Sequence, residues 1–186
     1  MTRQLRLNKE TAGSIEKVQV LMNAKTQFKN EQVISELQKA RSHILTEAIA
    51  LSAKDRDTVF LGIWSIKDLL AHLAGWDYTN MEAASYVLAG KLPPFYAHHD
   101  RDWAKYNAML VAKYKRDNIE ELIGLVKDSQ RELLEYIQTV PLSAFNKDFG
   151  VRFRGYKVTI QKLLEAEIKD EQVHCQQILD FFTDAK

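Results

Sequence analysis

The chain has 186 residues, enough for one domain with a single buried core. Its 26 basic and 25 acidic residues are interspersed and leave a formal charge of +1, so no basic stripe invites nucleic acid or an anionic membrane surface. A lone Cys175 excludes an internal disulfide, no apolar run reaches membrane-spanning length, and no signal-peptide stretch opens the chain; together these predict a cytoplasmic protein.

Ile15, Val18, Leu21 and Met22 recur at helical spacing, predicting an additional amphipathic N-terminal helix over 13–24 within an extension, residues 1–29. The first long helix is expected over 30–53, with Val33, Leu37, Ala40, Ile44, Ala48 and Leu51 on one face, and the polar run "SAKDRD" ends it. Ser65 and Asp68 form a capping-box pattern that starts a second helix running to Gly90. "KLPPFYAHHD" cannot continue a helix, and Trp103, Tyr106, Leu110 and Tyr114 then mark a shorter one. Ile119, Leu122, Val126, Leu133 and Ile137 define the third long helix, closed by Pro141. "FGVRFRGY" alternates with period two between glycines, as a small hairpin or extended loop would, and a fourth long helix is expected from about 156 to 183. The prediction is all-α: a four-helix bundle over 30–186, with a long crossover connection that lets the third helix run parallel to the second.

Polar residues interrupt every apolar stripe near its middle. On the second helix the stripe is Ile66, Leu70, Leu73, Asn80 and Ala84, and His72 falls on a flank with Ser65, Trp76, Thr79 and Ala83. The fourth helix places Glu167, Asp170, Glu171 and His174 among Tyr156, Ile160, Leu163, Ile178 and Phe181. Arg41 on the first helix and Ser129 and Gln130 on the third complete the set. Ionisable groups buried without partners cost several kcal/mol each, so these residues must meet one another, a metal, water or a polar ligand. One arrangement is a structural layer in which Arg41 pairs with Glu167 or Glu171, and a homodimer whose polar layer fixes helix register follows from it. The other is a cavity holding a small molecule, with His72, Glu171 and His174 as acid–base candidates and Arg41, Trp76, Gln130 and Glu167 as binding candidates. His72, Asp170 and His174 also form a ligand set suited to one divalent ion, zinc or nickel. Adjacent His98 and His99 fall in the connection, where a solvated loop is the simpler reading. Arg152 and Arg154 are expected to cap a bundle end, and Cys175 diverges from His174 by about 100° around the helix, which argues against a Cys–His nucleophile.

"WSIKDLLAHLAGWDYTN" followed far downstream by "DEQVHCQQI" resembles the DinB-like superfamily of four-helix bundles. The intervening "DRDWAKYNAMLVAKYKRDNIEELIGLVKDSQRELLEYI" is similar to the ClbS/DfsB branch. In metal-binding members of the superfamily, one histidine of the second helix joins an H-x-x-x-H pair of the fourth. By resemblance His72 takes the first place and His174 the last, while Asp170 stands where the family has a histidine. The resemblance implies a hydrolase or thiol-dependent transferase with a thiol cosubstrate, or a ClbS-like self-resistance protein acting on an electrophilic compound without that metal triad. Sequestration of a small molecule without turnover is the alternative.

Overall fold

The computed structural model describes residues 27–98 and 103–183, so the segment 13–24 and His99 lie outside the described residues. Helix α1 occupies 27–50. The expected polar break is instead a short helix, α2 (Ala53–Asp57), because Ser52 caps it by accepting from the Asp55 amide. Arg56 then folds back to donate to the Ala48 and Ile49 carbonyls at the end of α1.

Helix α3 (Ile66–Leu88) starts at the predicted capping box, with the Ser65 and Asp68 side chains each bonding the other's backbone amide. It ends in a Schellman arrangement: Gly90 turns at φ +70°, and the amides of Gly90 and Lys91 donate to Val87 and Tyr86. A 3₁₀ turn at Pro94–His98 and helix α4 (Trp103–Tyr114) make up the long connection. Helix α5 (Ile119–Thr139) is capped by Asn118. Strands β1 (Arg152–Phe153) and β2 (Tyr156–Lys157) form an antiparallel hairpin. Its turn residues, Arg154 and Gly155, both have positive φ, the signature of a two-residue type I′ turn.

Helix α6 (Ile160–Thr183) begins four residues later than its periodicity suggests. Tyr156 and Lys157 are held in β2, and the Thr159 hydroxyl caps the helix by accepting from the Lys162 amide. Two residues assigned to the core face are corrected as a result. Tyr156 is 76% exposed on the hairpin, and Phe181 is 41% exposed, packing against Phe60 and Phe182 near the end of α6.

Two apolar clusters fill the bundle. One gathers Val33 and Leu37 of α1, Ala83 to Val87 of α3, Leu133 to Ile137 of α5 and Ile160 to Ile168 of α6. The other gathers Ile44 to Ala48 of α1, Ile66 to Ala74 of α3, Leu122 and Val126 of α5 and Ile178 of α6. Read along the chain, α1 and α6 pass from the first cluster to the second, whereas α3 and α5 pass from the second to the first. Helices α3 and α5 are therefore parallel, as the long connection allows. Helix α4 runs antiparallel to α3, with Asp68 facing Lys115, Trp76 facing Asn107 and Thr79 facing Tyr106. Among the described residues no helix is long and apolar enough to cross a membrane.

A candidate metal centre and its aromatic cavity

Between the two apolar clusters lies one polar layer, built from the middle of each long helix. Arg41 is fully buried there and donates to both oxygens of Asp77, at 2.8 and 3.0 Å, and to Glu171 Oε1 at 2.6 Å. Ser129 donates to Asp77 Oδ2 at 2.6 Å. Burial alone would lower the Arg41 pKa, but Asp77 and Glu171 outweigh it and raise it well above its ordinary value. Gln130 lies at the edge of this layer and donates to the Leu37 carbonyl, tying α5 to α1.

Asp77 is the residue that sequence reading missed. The stripe Ile66, Leu70, Leu73, Asn80, Ala84 has a gap at 77, four residues after Leu73 and three before Asn80, where helical geometry demands an inward residue. That gap was the available signal.

One turn toward the protein surface, His72 of α3 meets Asp170 and His174 of α6. Their ligand-bearing atoms lie within 4.8 Å of one another. His72 Nε2 is 3.6 Å and His174 Nε2 is 3.3 Å from Asp170 Oδ2, and the two imidazoles stand edge to face with centroids 5.4 Å apart. The Asp170 side chain is not enclosed with the others: it is 53% exposed and reaches the trio from the rim. His72 is only 2% exposed and has Trp64 and Trp76 on either side. The flank of α3 that carries it is enclosed and faces the cavity and α6.

Electrostatics sets the protonation of the trio. Burial lowers the His72 pKa, a shift that Asp170 only partly opposes, and so favours the neutral, ligating imidazole. Burial also disfavours ionised His174, but the neighbouring Asp170, with Gln177 and Glu171, raises its pKa overall. Asp170 is pushed up by partial burial and pulled down further by the two histidines, leaving it well below the usual carboxylate range.

The donor set fits a divalent ion. Both ring nitrogens of His72 are buried without a hydrogen-bond partner, which is costly unless Nε2 serves as a ligand. His174 Nδ1 is 2.8 Å from Gln177 Oε1; when that contact is an Nδ1–H donation, the Nε2 lone pair turns toward Asp170 and His72. Gln177 was not singled out from the sequence, since a glutamine one turn beyond a histidine carries no signal until the histidine has a role. Two imidazoles and a carboxylate, with room for further ligands, match zinc and nickel chemistry.

A cavity of about 520 Å³ opens onto this centre. His72, Asn80, Glu167 and Asp170 line its polar end, and Trp76, Phe95, Tyr96, Trp103 and Phe153 supply aromatic walls. Trp76 is fixed among them by ring contacts at 5.5 Å to Phe95 and Trp103 and by its indole N–H donating to Asn107. The hairpin adds Tyr156 and Lys157 at the mouth. Thus Trp76, Glu167 and His72 face the cavity, whereas Arg41, Glu171 and Gln130 belong to the layer beneath it. Cys175 is half-buried, and burial together with Glu47 raises its thiol pKa, so the thiol is not activated. Arg152 pairs with Asp148, and Arg154 lies over the Phe153 ring.

Comparison with known proteins agrees with this architecture. No curated protein matches the chain. Solved crystal structures share the fold at low sequence identity. An uncharacterised protein from Escherichia coli UTI89 is 13% identical, with a TM-score of 0.64 over 83% of this chain and 93% of its own. The colibactin self-resistance protein ClbS, solved in complex with a dsDNA, is 13% identical, with a TM-score of 0.67 over 82% and 95%. A histidine-to-alanine mutant of the mycothiol-dependent maleylpyruvate isomerase is 15% identical, with a TM-score of 0.63 over 80% of this chain and 60% of its own. Residues 36–178 match the sequence pattern of the DinB superfamily, and the chain belongs to that superfamily.

Proposed function

We propose that this protein binds a small, largely apolar molecule in the aromatic cavity and presents it to a divalent metal held by His72, Asp170 and His174. The observation that carries the reading is the meeting of these three side chains, within 4.8 Å, at the polar end of a cavity of about 520 Å³. Such a volume suits a ligand of drug-like size, and aromatic walls with converging polar groups are typical of small-molecule sites.

When bound, a divalent ion supplies Lewis acidity and lowers the pKa of a thiol or water. The protein's own contribution is positional. Neutral His72 offers a nitrogen lone pair, His174 offers one once it has lost its proton, Gln177 orients His174, and Asp170 adds charge. Trp76, Phe95 and Trp103 hold the ligand and exclude water. Glu171 supports the site from below through Arg41. The mycothiol-dependent isomerase among the similar folds makes low-molecular-weight thiols the first cosubstrates to test. ClbS supports a reactive, electrophilic ligand, and its dsDNA complex makes duplex DNA a necessary comparison ligand for a chain whose charge balance argues against it.

The test is elemental analysis of untagged protein after exposure to zinc or nickel, followed by thiol-consumption assays against electrophilic compounds. One ion per chain, lost in His72→Ala and His174→Ala, is the expected result. Ligand binding with no ion retained would replace this reading with sequestration without turnover.

A further inference from the structure

Glu167 stands apart from the metal centre and from the Arg41 layer, yet it lines the same cavity. It is 5% exposed. Its Oε2 accepts from Asn80 Nδ2 at 3.0 Å, and its Oε1 has no hydrogen-bond partner among the described residues. Arg41 gives this carboxyl no hydrogen bond, since both its terminal nitrogens are committed to Asp77 and Glu171.

The surrounding charges all bear on the same point. Helix α1 presents Arg41, α3 presents Asp77 and the neutral Asn80, and α6 itself adds Asp170 and Glu171, while His72, Lys157 and Lys162 share the cavity lining with Glu167. Burial first, then Glu171 and Asp77, raise the Glu167 pKa well above the ordinary carboxyl value, and Arg41 only partly offsets them. Burial raises the Glu171 carboxyl too, but Arg41 contacts Glu171 directly and opposes that shift, so Glu167 is the one of the two that is easier to protonate.

We propose that Glu167 is a neutral carboxylic acid which, with Asn80, forms a hydrogen-bonding subsite for the carbonyl oxygen of a planar, apolar ligand. Resting on the cavity reading above, this names the ligand class. Lys157 and Lys162 also line the cavity, but a carboxylate bound at Glu167 would meet the Glu171, Asp77 and Asp170 charges that already raise the Glu167 pKa, whereas a carbonyl oxygen accepts from an acid O–H at no charge cost. The aromatic walls then clasp the flat, conjugated body of the same molecule. Glu167 and Asp170 are three residues apart on α6, so the carbonyl lies about one helical turn, roughly 5 Å, from the metal centre. A conjugated carbonyl compound spans that distance.

The experiment uses the full chain in the presence of a chelator, so that its outcome is independent of metal. Quenching of tryptophan fluorescence is measured with acetylnaphthalene and with ethylnaphthalene, which has the same outline but no carbonyl. Acetylnaphthalene should bind about five- to tenfold more tightly, the worth of one buried hydrogen bond. E167L should erase that preference, and E167Q, which retains a donor, should restore most of it. Infrared spectra without ligand should show a protonated-carboxyl stretch at neutral pH that is missing in both variants. Equal binding of the two probes, or no such stretch, overturns the Glu167 subsite and leaves the cavity reading intact. Binding of neither probe overturns both.

Discussion

Arg41 on α1 and Asp77 on α3 form a two-point ion pair at 2.8 and 3.0 Å, with no exposure of either side chain. The pair is the centre of the layer that divides the core, and Ser129 and Glu171 bond to it from the other two long helices. Removing one member leaves a buried charge without its partner, and this asymmetry underlies the first prediction.

Arg41→Met should destabilise the fold by about 3–5 kcal/mol, as breaking a buried pair does. The triple variant Arg41→Met with Asp77→Leu and Glu171→Leu should recover most of the loss, since an apolar layer needs no counter-charge. Urea unfolding followed by circular dichroism measures both. A single variant as stable as the parent would contradict the layer's electrostatic character.

The metal centre should tolerate a change at Asp170 better than one at either histidine. Asp170→His should retain one ion per chain, while His72→Ala and His174→Ala should lower zinc affinity by at least the 10–100-fold that loss of a supporting contact alone brings. Competition against a chromogenic chelator gives the affinities. His174, whose pKa is raised, must lose its proton to bind a metal, so uptake should weaken as pH falls through that raised value.

Glu167 should impose a pH slope on stability. Its folded pKa is raised, so its contribution is fully present below the ordinary glutamate value of about 4.3 and is lost as pH climbs through the raised value. Glu167→Gln removes that slope. The variant should therefore gain on the parent as pH rises from acidic to mildly alkaline, read as the difference in Tm across a buffer series. A constant difference would show that Glu167 titrates normally.

Gly75 marks a close approach of α3 to α4. A Cβ there would lie 2.8 Å from Leu110 Cβ and 3.2 Å from a Tyr114 ring carbon. Gly75→Ala gains about 1 kcal/mol of helix propensity but forces two packed helices apart, an overpacking cost of about 1–3 kcal/mol. The expected outcome is a lower Tm that Leu110→Ala in the same chain does not restore, since alanine keeps the Cβ that lies 2.8 Å away.

Much of this architecture was legible because helical periodicity and caps are local signals. Ser65 and Asp68, Pro141 and Gly90 sit where the chain turns, and the long connection foretold the parallel α3 and α5. What periodicity could not convey was partnership. It placed Asp170 inward with Glu167 and Glu171, but a helical wheel does not distinguish a residue at the cavity rim from one in the layer beneath. It passed over Asp77 because an acidic residue beside Trp76 reads as a solvated position until Arg41 is seen opposite. It started α6 too early because Tyr156 satisfies a helical pattern and a β-pairing equally well, and only the Arg154–Gly155 turn decides between them.

That hairpin divides the labour of the chain. None of its strand residues is fully buried, and none takes part in the Arg41 layer, yet Phe153, Tyr156 and Lys157 form part of the cavity wall. Part of the cavity wall is thus carried by residues outside the four long helices. A library confined to positions 152–157 would vary this part of the cavity wall while the four long helices, and the His72–Asp170–His174 group between them, stay as they are.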